Sequence, residues 1–262
     1  MRLISLAGVI AICGAPAFVS AAEGEEAPAV SIEILLEGVA LQSEGLVESF
    51  ATGEYEVRTR VLEIDDDGRP KMERNTIDRV VQKEGVPELT LVSAVEGGED
   101  VRERILEERA ERQEEAKKEA AEEGRDGKGR ERGDFPNPFR GELQEKYRFE
   151  IAGPDRHVPG ALKVTFEPKG KPDKKLFTGH AIIDAERRRM ISLTARPSKY
   201  PFGLDEMFIS VTFGEEGGRP ILQRIFGKGR GGLPLMKRNF EFSSRFLQWK
   251  LPASPAPVAP PP

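Results

Sequence analysis

The sequence predicts a mainly β protein of the α+β class, built on a meander of antiparallel strands. Three observations lead to this prediction. About ten short segments alternate apolar and polar residues with the period of a half-buried strand. The seven segments from residue 147 onward follow one another at short spacing, and no helical pattern separates these seven as it would in βαβ units. One amphipathic helical pattern precedes the strands, and one charged helical pattern interrupts them.

The composition excludes several classes of protein. With 38% hydrophobic residues and one long apolar run, at the N-terminus, the chain fits neither a multi-span membrane protein nor wholesale disorder. A formal net charge of −5 disfavours a nucleic-acid partner bound through its phosphates, because such binding needs clustered Lys and Arg. The single cysteine, Cys13, excludes a disulfide framework and a Cys-rich metal site. We therefore expect no nucleic-acid partner, no cofactor and no metal.

Residues 1–22 have the pattern of a secretory signal peptide. Arg2 precedes an apolar stretch from Leu3 to Ile12, and cleavage is expected near Ala21 or Ala22. An uncleaved anchor is the less favoured alternative, because a membrane span needs about twenty apolar residues. Since residues 1–22 hold one Arg and no Asp or Glu, the net charge changes from −5 to −6 on cleavage. The mature protein is expected to be periplasmic or secreted, with peripheral membrane association at most.

The first half of the mature chain begins with a helix. Residues 23–29 form a short linker, and apolar residues from Val30 to Phe50 recur on one helical face, with Ser31 at the N-cap position. The sequence Asp-Asp-Asp-Gly at residues 65–68 predicts a hairpin turn, because Asp tolerates turn geometry and Gly supplies a positive φ. A calcium-binding loop is less favoured, because the alternating Asp ligands and the later Glu of such a loop are missing. Strands are predicted at Tyr55–Val61, Met72–Val81 and Leu89–Val95.

Residues 98–133 interrupt the strand pattern with Glu, Lys, Arg and Ala. Few large apolar residues occur there beyond Val101, Ile105 and Leu106, so we expect an exposed helix that ends before the glycines at 124–129. Two interpretations stay open for this insertion. It is either a lid or partner-docking arm, or a solvated insertion without a role of its own.

The second half of the chain has the clearest strand patterns. Strands are predicted at 147–151, 162–166, 176–183, 190–195, 208–213, 221–226 and 240–246. The glycine-rich run 227–232 lacks the Gly-Lys-Ser/Thr ending of a phosphate-binding loop, which favours a flexible hairpin tip. Residues 251–262 are rich in Pro and Ala and predict a disordered tail, which leaves 30–250 as the folded domain.

Two segments carry a resemblance to a known family. Gly179–Asp184 followed by Met190–Leu193, and the aromatic closing segment Asn239–Phe246, resemble the outer-membrane lipoprotein-sorting proteins of LolA/LolB type. The order of elements over residues 30–250 is similar as well, apart from the charged insertion. The resemblance implies a curved antiparallel sheet that forms an incomplete β-barrel, with helices over its mouth, and a role as a periplasmic lipoprotein carrier.

Catalytic motifs are missing from the sequence. His157 and His180 are the only histidines, and neither belongs to a metal-binding spacing. There is no Gly-x-Ser-x-Gly motif, and signal cleavage would remove the only thiol. Hydrolysis by an unpatterned pair of carboxylates is the least favoured of three hypotheses. We expect a protein that is not an enzyme.

The two favoured hypotheses are a carrier and a scaffold. A carrier would hold a lipid, an acyl chain or a lipoprotein on the concave apolar face of the sheet. Its expected contact residues are Phe149, Phe166, Ile183, Leu193, Val211 and Phe240. A cell-envelope scaffold or assembly factor would instead bind a protein partner through the charged helix and the Pro-rich tail. An open concave face favours the carrier, and a face filled by the protein's own side chains favours the scaffold.

Overall fold

The computed structural model of the chain describes residues 30–65, 67–83, 86–122, 137–201, 203–233 and 236–252. The expected signal peptide and the linker lie outside the described residues. So do the end of the insertion, from residue 123, and the tail beyond residue 252.

Eleven antiparallel strands form one sheet, which does not close into a barrel within the described residues. The prediction of a mainly β, curved and open antiparallel sheet is thus confirmed. All ten predicted strands are present, and one short strand, β4, was not predicted. The strands are β1 Glu54–Ile64, β2 Pro70–Lys83, β3 Val86–Glu96, β4 Glu99–Asp100, β5 Tyr147–Pro154, β6 Ala161–Pro168, β7 Phe177–Asp184, β8 Arg189–Pro197, β9 Leu204–Glu216, β10 Arg219–Leu233 and β11 Met236–Lys250.

The chain enters the sheet in its middle and leaves it there. Strand order is β4-β3-β2-β1-β11-β10-β9-β8-β7-β6-β5, so the first strand pairs with the last. The chain runs outward from β1 to the edge at β4, and re-enters at the opposite edge with β5. The charged insertion is therefore the connection between the two edges of the sheet.

Helix α1, Ile32–Thr52, lies across one face of the sheet. Ser31 is its N-cap, and the Ser31 side chain accepts a hydrogen bond from the backbone N–H of Ile34, as the sequence predicts. Leu35 and Val39 are completely buried against the sheet. Gly38 permits the close approach, because a Cβ there would lie 2.4 Å from the Cβ of Arg188. We call the face that carries α1 the inner face, and the opposite one the outer face.

Helix α2, Arg102–Glu122, lies on the β2 and β3 end of the sheet. Ile105 is 4% exposed and packs there, while Leu106 on the other side of the helix is 51% exposed. Charged contacts supplement the packing of Ile105, among them an ion pair between Arg109 and Asp78 of β2. The helix predicted within the insertion is thus present, but one of its sides is docked on the sheet.

The glycine-rich run 227–232 belongs to β10 rather than to a hairpin tip. Gly227 and Gly229 are paired on both sides, with β9 and with β11. The strand alternates glycine with Phe226, Lys228 and Arg230, so the period of two is present although no apolar side chain marks the inner positions. The hairpin turn predicted at 65–68 is confirmed: the Asp65 carboxylate accepts hydrogen bonds from the backbone N–H groups of Asp67 and Arg69.

Candidate functional site

The six residues expected to line a ligand cavity all lie on the inner face, but four of them form the core. Phe166, Ile183, Leu193 and Val211 are at most 3% exposed, and all four belong to the cluster that contains Leu35 and Val39 of α1. A ligand cannot reach these four side chains while α1 is in place. Phe149 is half-buried at the border of the same cluster. Phe240 is half-buried and lies outside it.

A short segment before β5, which contains Asn137 and Phe139, covers the part of the inner face beside α1. Phe139 is fully buried, and its ring lies 5.0 Å from that of Phe149 and 5.5 Å from that of Phe166. The Asn137 side chain donates a hydrogen bond to the Ser43 hydroxyl of α1 at 2.8 Å. The sequence pattern does not predict this segment, because two aromatic residues among prolines at 135–139 show neither helical nor strand periodicity.

Towards the other end of the central strands the inner face carries apolar side chains that are not part of the core. Phe242 lies opposite Gly227 on one side and Val61 on the other, and Phe240 lies opposite Gly229. Gly229 in turn pairs with Met207. We call these four half-buried residues, which all lie outside the core cluster, the inner strip: Val61, Met207, Phe240 and Phe242.

The aromatic rings of the inner strip lie across the glycines of β10. A Cβ on Gly227 would fall 2.2 Å from a ring carbon of Phe242, and one on Gly229 would fall 2.6 Å from a ring carbon of Phe240. The glycines thus remove side chains from β10 and let the rings of β11 cover the strand. The result is a shallow aromatic floor on the inner face.

Polar groups border the inner strip on both sides along the strands. The hydroxyls of Thr59 and Ser244 share a hydrogen bond of 2.9 Å. At the other side Glu63, opposite Phe240, accepts a hydrogen bond of 2.9 Å from Arg238 and lies 3.6 Å from the Lys71 ammonium. Apolar contact area with a few polar groups at its margin is the usual composition of a small-molecule site.

The two histidines lie apart from the inner strip. His157 is exposed in the turn between β5 and β6, where its backbone N–H donates to the Asp155 carboxylate. His180 lies on the outer face of β7, opposite Thr165 and Thr194. Burial lowers the pKa of His180, and the charge of Lys163 lowers it further. Within the described part of the chain no cluster of His, Cys, Asp and Glu has a geometry suited to a metal ion.

Comparison with solved structures gives only a distant likeness. No protein-family model matches the chain, and no curated protein matches it. A chain of the complex structure of Pseudomonas aeruginosa MucA/MucB is similar at 8% identity with a TM-score of 0.23, over 84% of this chain and 100% of that chain. The resemblance to lipoprotein-sorting proteins is confirmed only as far as the mostly β, open sheet described above. Among the described residues, no helix is long and apolar enough to cross a membrane.

Proposed function

We propose that the chain is an exported, non-enzymatic binding protein that holds a lipid, an acyl chain or the acyl chains of a lipoprotein on the inner face of its sheet, in the course of trafficking across the periplasm. The observation that carries this proposal is the inner strip. Four apolar side chains on neighbouring strands are half-buried and lie outside the core. Two of them are phenylalanines whose rings pack against glycines of β10.

The size of the inner strip suits an extended apolar chain. It crosses β9, β10, β11 and β1, which corresponds to about 14 Å at the usual spacing of strands. Burial of each methylene contributes about 0.8 kcal/mol, so about six methylenes contribute about 5 kcal/mol. Part of this free energy offsets the entropy lost on association. A ligand of this kind needs contact area rather than catalytic groups.

The polar margin of the inner strip gives the ligand an orientation. Arg238 and Lys71 both contact Glu63, which leaves more positive than negative charge beside Phe240. A carboxylate or another anionic headgroup would be attracted to this side, with its apolar chain along the phenylalanines. The Thr59 and Ser244 hydroxyls mark the other margin.

Displacement of a fluorescent fatty acid tests the proposal. The mature protein is expected to bind the probe, and the double variant F240S/F242S to bind it at least about tenfold more weakly, since a lost apolar contact of about 1.4 kcal/mol corresponds to a factor of ten. F208S is the matched control, because Phe208 is 37% exposed on the outer face and packs against Phe226. Absence of binding by the unaltered protein, or equal losses in F208S, would contradict the proposal.

A second candidate is the cell-envelope scaffold. The observation in its favour is the inner face under α1, which is filled by Phe139, Phe166 and the rest of the core. The docked side of α2 is occupied by ion pairs within the chain, so a protein partner would meet the other side, where Leu106 is exposed. Native mass spectrometry of protein taken from its own envelope separates the candidates. A co-purifying lipid supports the carrier, and a stoichiometric protein without lipid supports the scaffold.

A further inference from the structure

Three arginines form a row across the outer face of the sheet. Arg58 on β1 lies directly opposite Arg245 on β11, and Arg245 lies directly opposite Arg224 on β10. Because neighbouring strands are about 4.8 Å apart, the three Cα atoms span about 10 Å. All three residues are exposed. We call these residues the arginine row.

The arginine row is incompletely neutralised. Arg58 donates a hydrogen bond to Glu56 at 2.7 Å, and the Arg224 guanidinium lies 5.6 Å from the centre of the Phe226 ring. In the described part of the chain neither Arg224 nor Arg245 forms an ion pair with a carboxylate. Like charges directly opposite each other on neighbouring strands destabilise a sheet. The pairing of three arginines therefore weakens the sheet unless an anion lies between them.

A cavity of about 410 Å³ lies on the arginine row. Its lining contains Arg60 besides the row itself, and one acidic residue, Glu241, which gives a formal sum of +3 for the lining in a chain of net charge −5. Arg60 is paired with Glu73, and Glu241 with Lys228, so the unpaired charge of the lining comes from Arg224 and Arg245. The Ser243 hydroxyl and the Asn75 amide add neutral hydrogen-bond donors. A basic concavity on an acidic protein concentrates anions locally.

We propose that the arginine row is a binding site for a phosphate group carried by an organic ligand. Guanidinium groups bind phosphate oxygens through paired hydrogen bonds, and Arg224 and Arg245 are available for such pairs. The apolar side chains of Leu62, Ile77 and Phe226 line the same cavity and would contact the organic part. This site is on the opposite face of the sheet from the inner strip, so it does not depend on the carrier proposal.

Thermal unfolding of the mature protein with pyrophosphate, at constant ionic strength, tests the site. At a hundredfold excess over Kd the Tm is expected to rise by about 5–10 °C. The variant R224Q/R245Q is expected to lose this rise. Without phosphate it is expected to unfold at a higher Tm than the unaltered protein, because the repulsion between the paired arginines is removed. R156Q/R187Q removes two charges from exposed turns and is expected to keep the full rise. The proposal is overturned if pyrophosphate does not raise the Tm of the unaltered protein, or if it raises the Tm of the unaltered protein and both double variants equally. Should the double variant fail to fold, R245Q alone gives the same comparison.

Vesicle binding distinguishes the two sources of such a phosphate. Sedimentation with phosphatidylglycerol vesicles is compared with phosphatidylcholine vesicles, for the unaltered protein and for R224Q/R245Q. Arginine-dependent binding to the anionic vesicles assigns the site to a lipid headgroup. Stabilisation by pyrophosphate without vesicle binding assigns it to a soluble phosphorylated ligand. If neither pyrophosphate nor anionic vesicles give an arginine-dependent signal, the site does not exist.

Discussion

Arg109 of α2 forms a bidentate ion pair with the Asp78 carboxylate of β2. Its two terminal nitrogens donate hydrogen bonds of 2.6 and 2.9 Å to the two carboxylate oxygens. Asp78 is only 6% exposed and lies opposite Val57, on the inner face. The hydrogen bonds with Asp78 raise the pKa of Arg109, so its guanidinium stays charged. Helix α2 buries Ile105 near its start, and this ion pair fixes the helix to the sheet one turn further on.

The first prediction concerns this ion pair. R109A leaves a buried, uncompensated carboxylate and is expected to lower the free energy of unfolding by about 2–3 kcal/mol. R112A is the control, because Arg112 is 73% exposed and its ion pair among the described residues is with Glu108, one turn earlier in the helix, so about 0–0.5 kcal/mol is expected. Urea denaturation measures both. Equal effects of R109A and R112A would show that the ion pair does not anchor α2.

The second prediction concerns acid sensitivity at the start of α2. Hydrogen bonds from Arg104 and Arg74 hold the pKa of Glu96 below its ordinary value of 4.5. The folded state thus favours the carboxylate, and this stabilisation is complete above about pH 4.5 and disappears as the pH falls through the lower, folded-state pKa. E96Q is expected to cost about 1 kcal/mol at pH 7 and progressively less in acid. Denaturation at several pH values checks this, and a cost that does not change with pH would contradict it.

The alternation of apolar and polar residues predicted the strands well, because most of them have one buried and one solvated face. It failed for Gly227–Gly232, where glycine takes the place of apolar side chains at the inner positions of β10. It could not predict how far each half of the inner face is covered, since that depends on contacts such as Phe139 against Phe166. Of the expected site residues, only Phe240 lies in the inner strip.

The arginine row shows a second limit of sequence reasoning. The overall charge of −5 argued against clustered cations. Arg58, Arg224 and Arg245 are far apart along the chain, and only strand pairing brings them together. The pairing of β1 with β11 places residues from both ends of the chain side by side. The net charge of the whole sequence cannot reveal such a local excess of positive charge.

The third prediction compares two glycines. A Cβ on Gly179 would lie 2.0 Å from the backbone oxygen of Thr194, and a strand backbone cannot move away cheaply. G179A is expected to cost about 2–3 kcal/mol. A Cβ on Gly214 would meet only the side chain of Gln223, which is exposed and can turn aside, so G214A is expected to cost less than about 1 kcal/mol. Thermal unfolding measures both, and similar costs would show that β7 and β8 are less closely packed than described.

The fourth prediction concerns His180. Because burial and Lys163 lower its pKa below the ordinary 6.5, the folded state favours the neutral imidazole, and stability falls as the pH drops through 6.5. NMR titration of the imidazole is expected to show a pKa below 6.5 in the unaltered protein. K163M removes a repulsive charge and is expected to raise that pKa, whereas D155N removes an attractive one and is expected to lower it. Shifts in the reverse directions would contradict the described surroundings of His180.

The position of a bound acyl chain tests the carrier proposal most directly. A fatty acid with a photoreactive diazirine group on its chain is bound to the mature protein and cross-linked, and the labelled residues are identified by mass spectrometry. The inner strip predicts labels on β11 around Phe240 and Phe242, and on the facing parts of β1 and β9 around Val61 and Met207. Labels confined to the outer face, around Phe208 and Phe226, would contradict it.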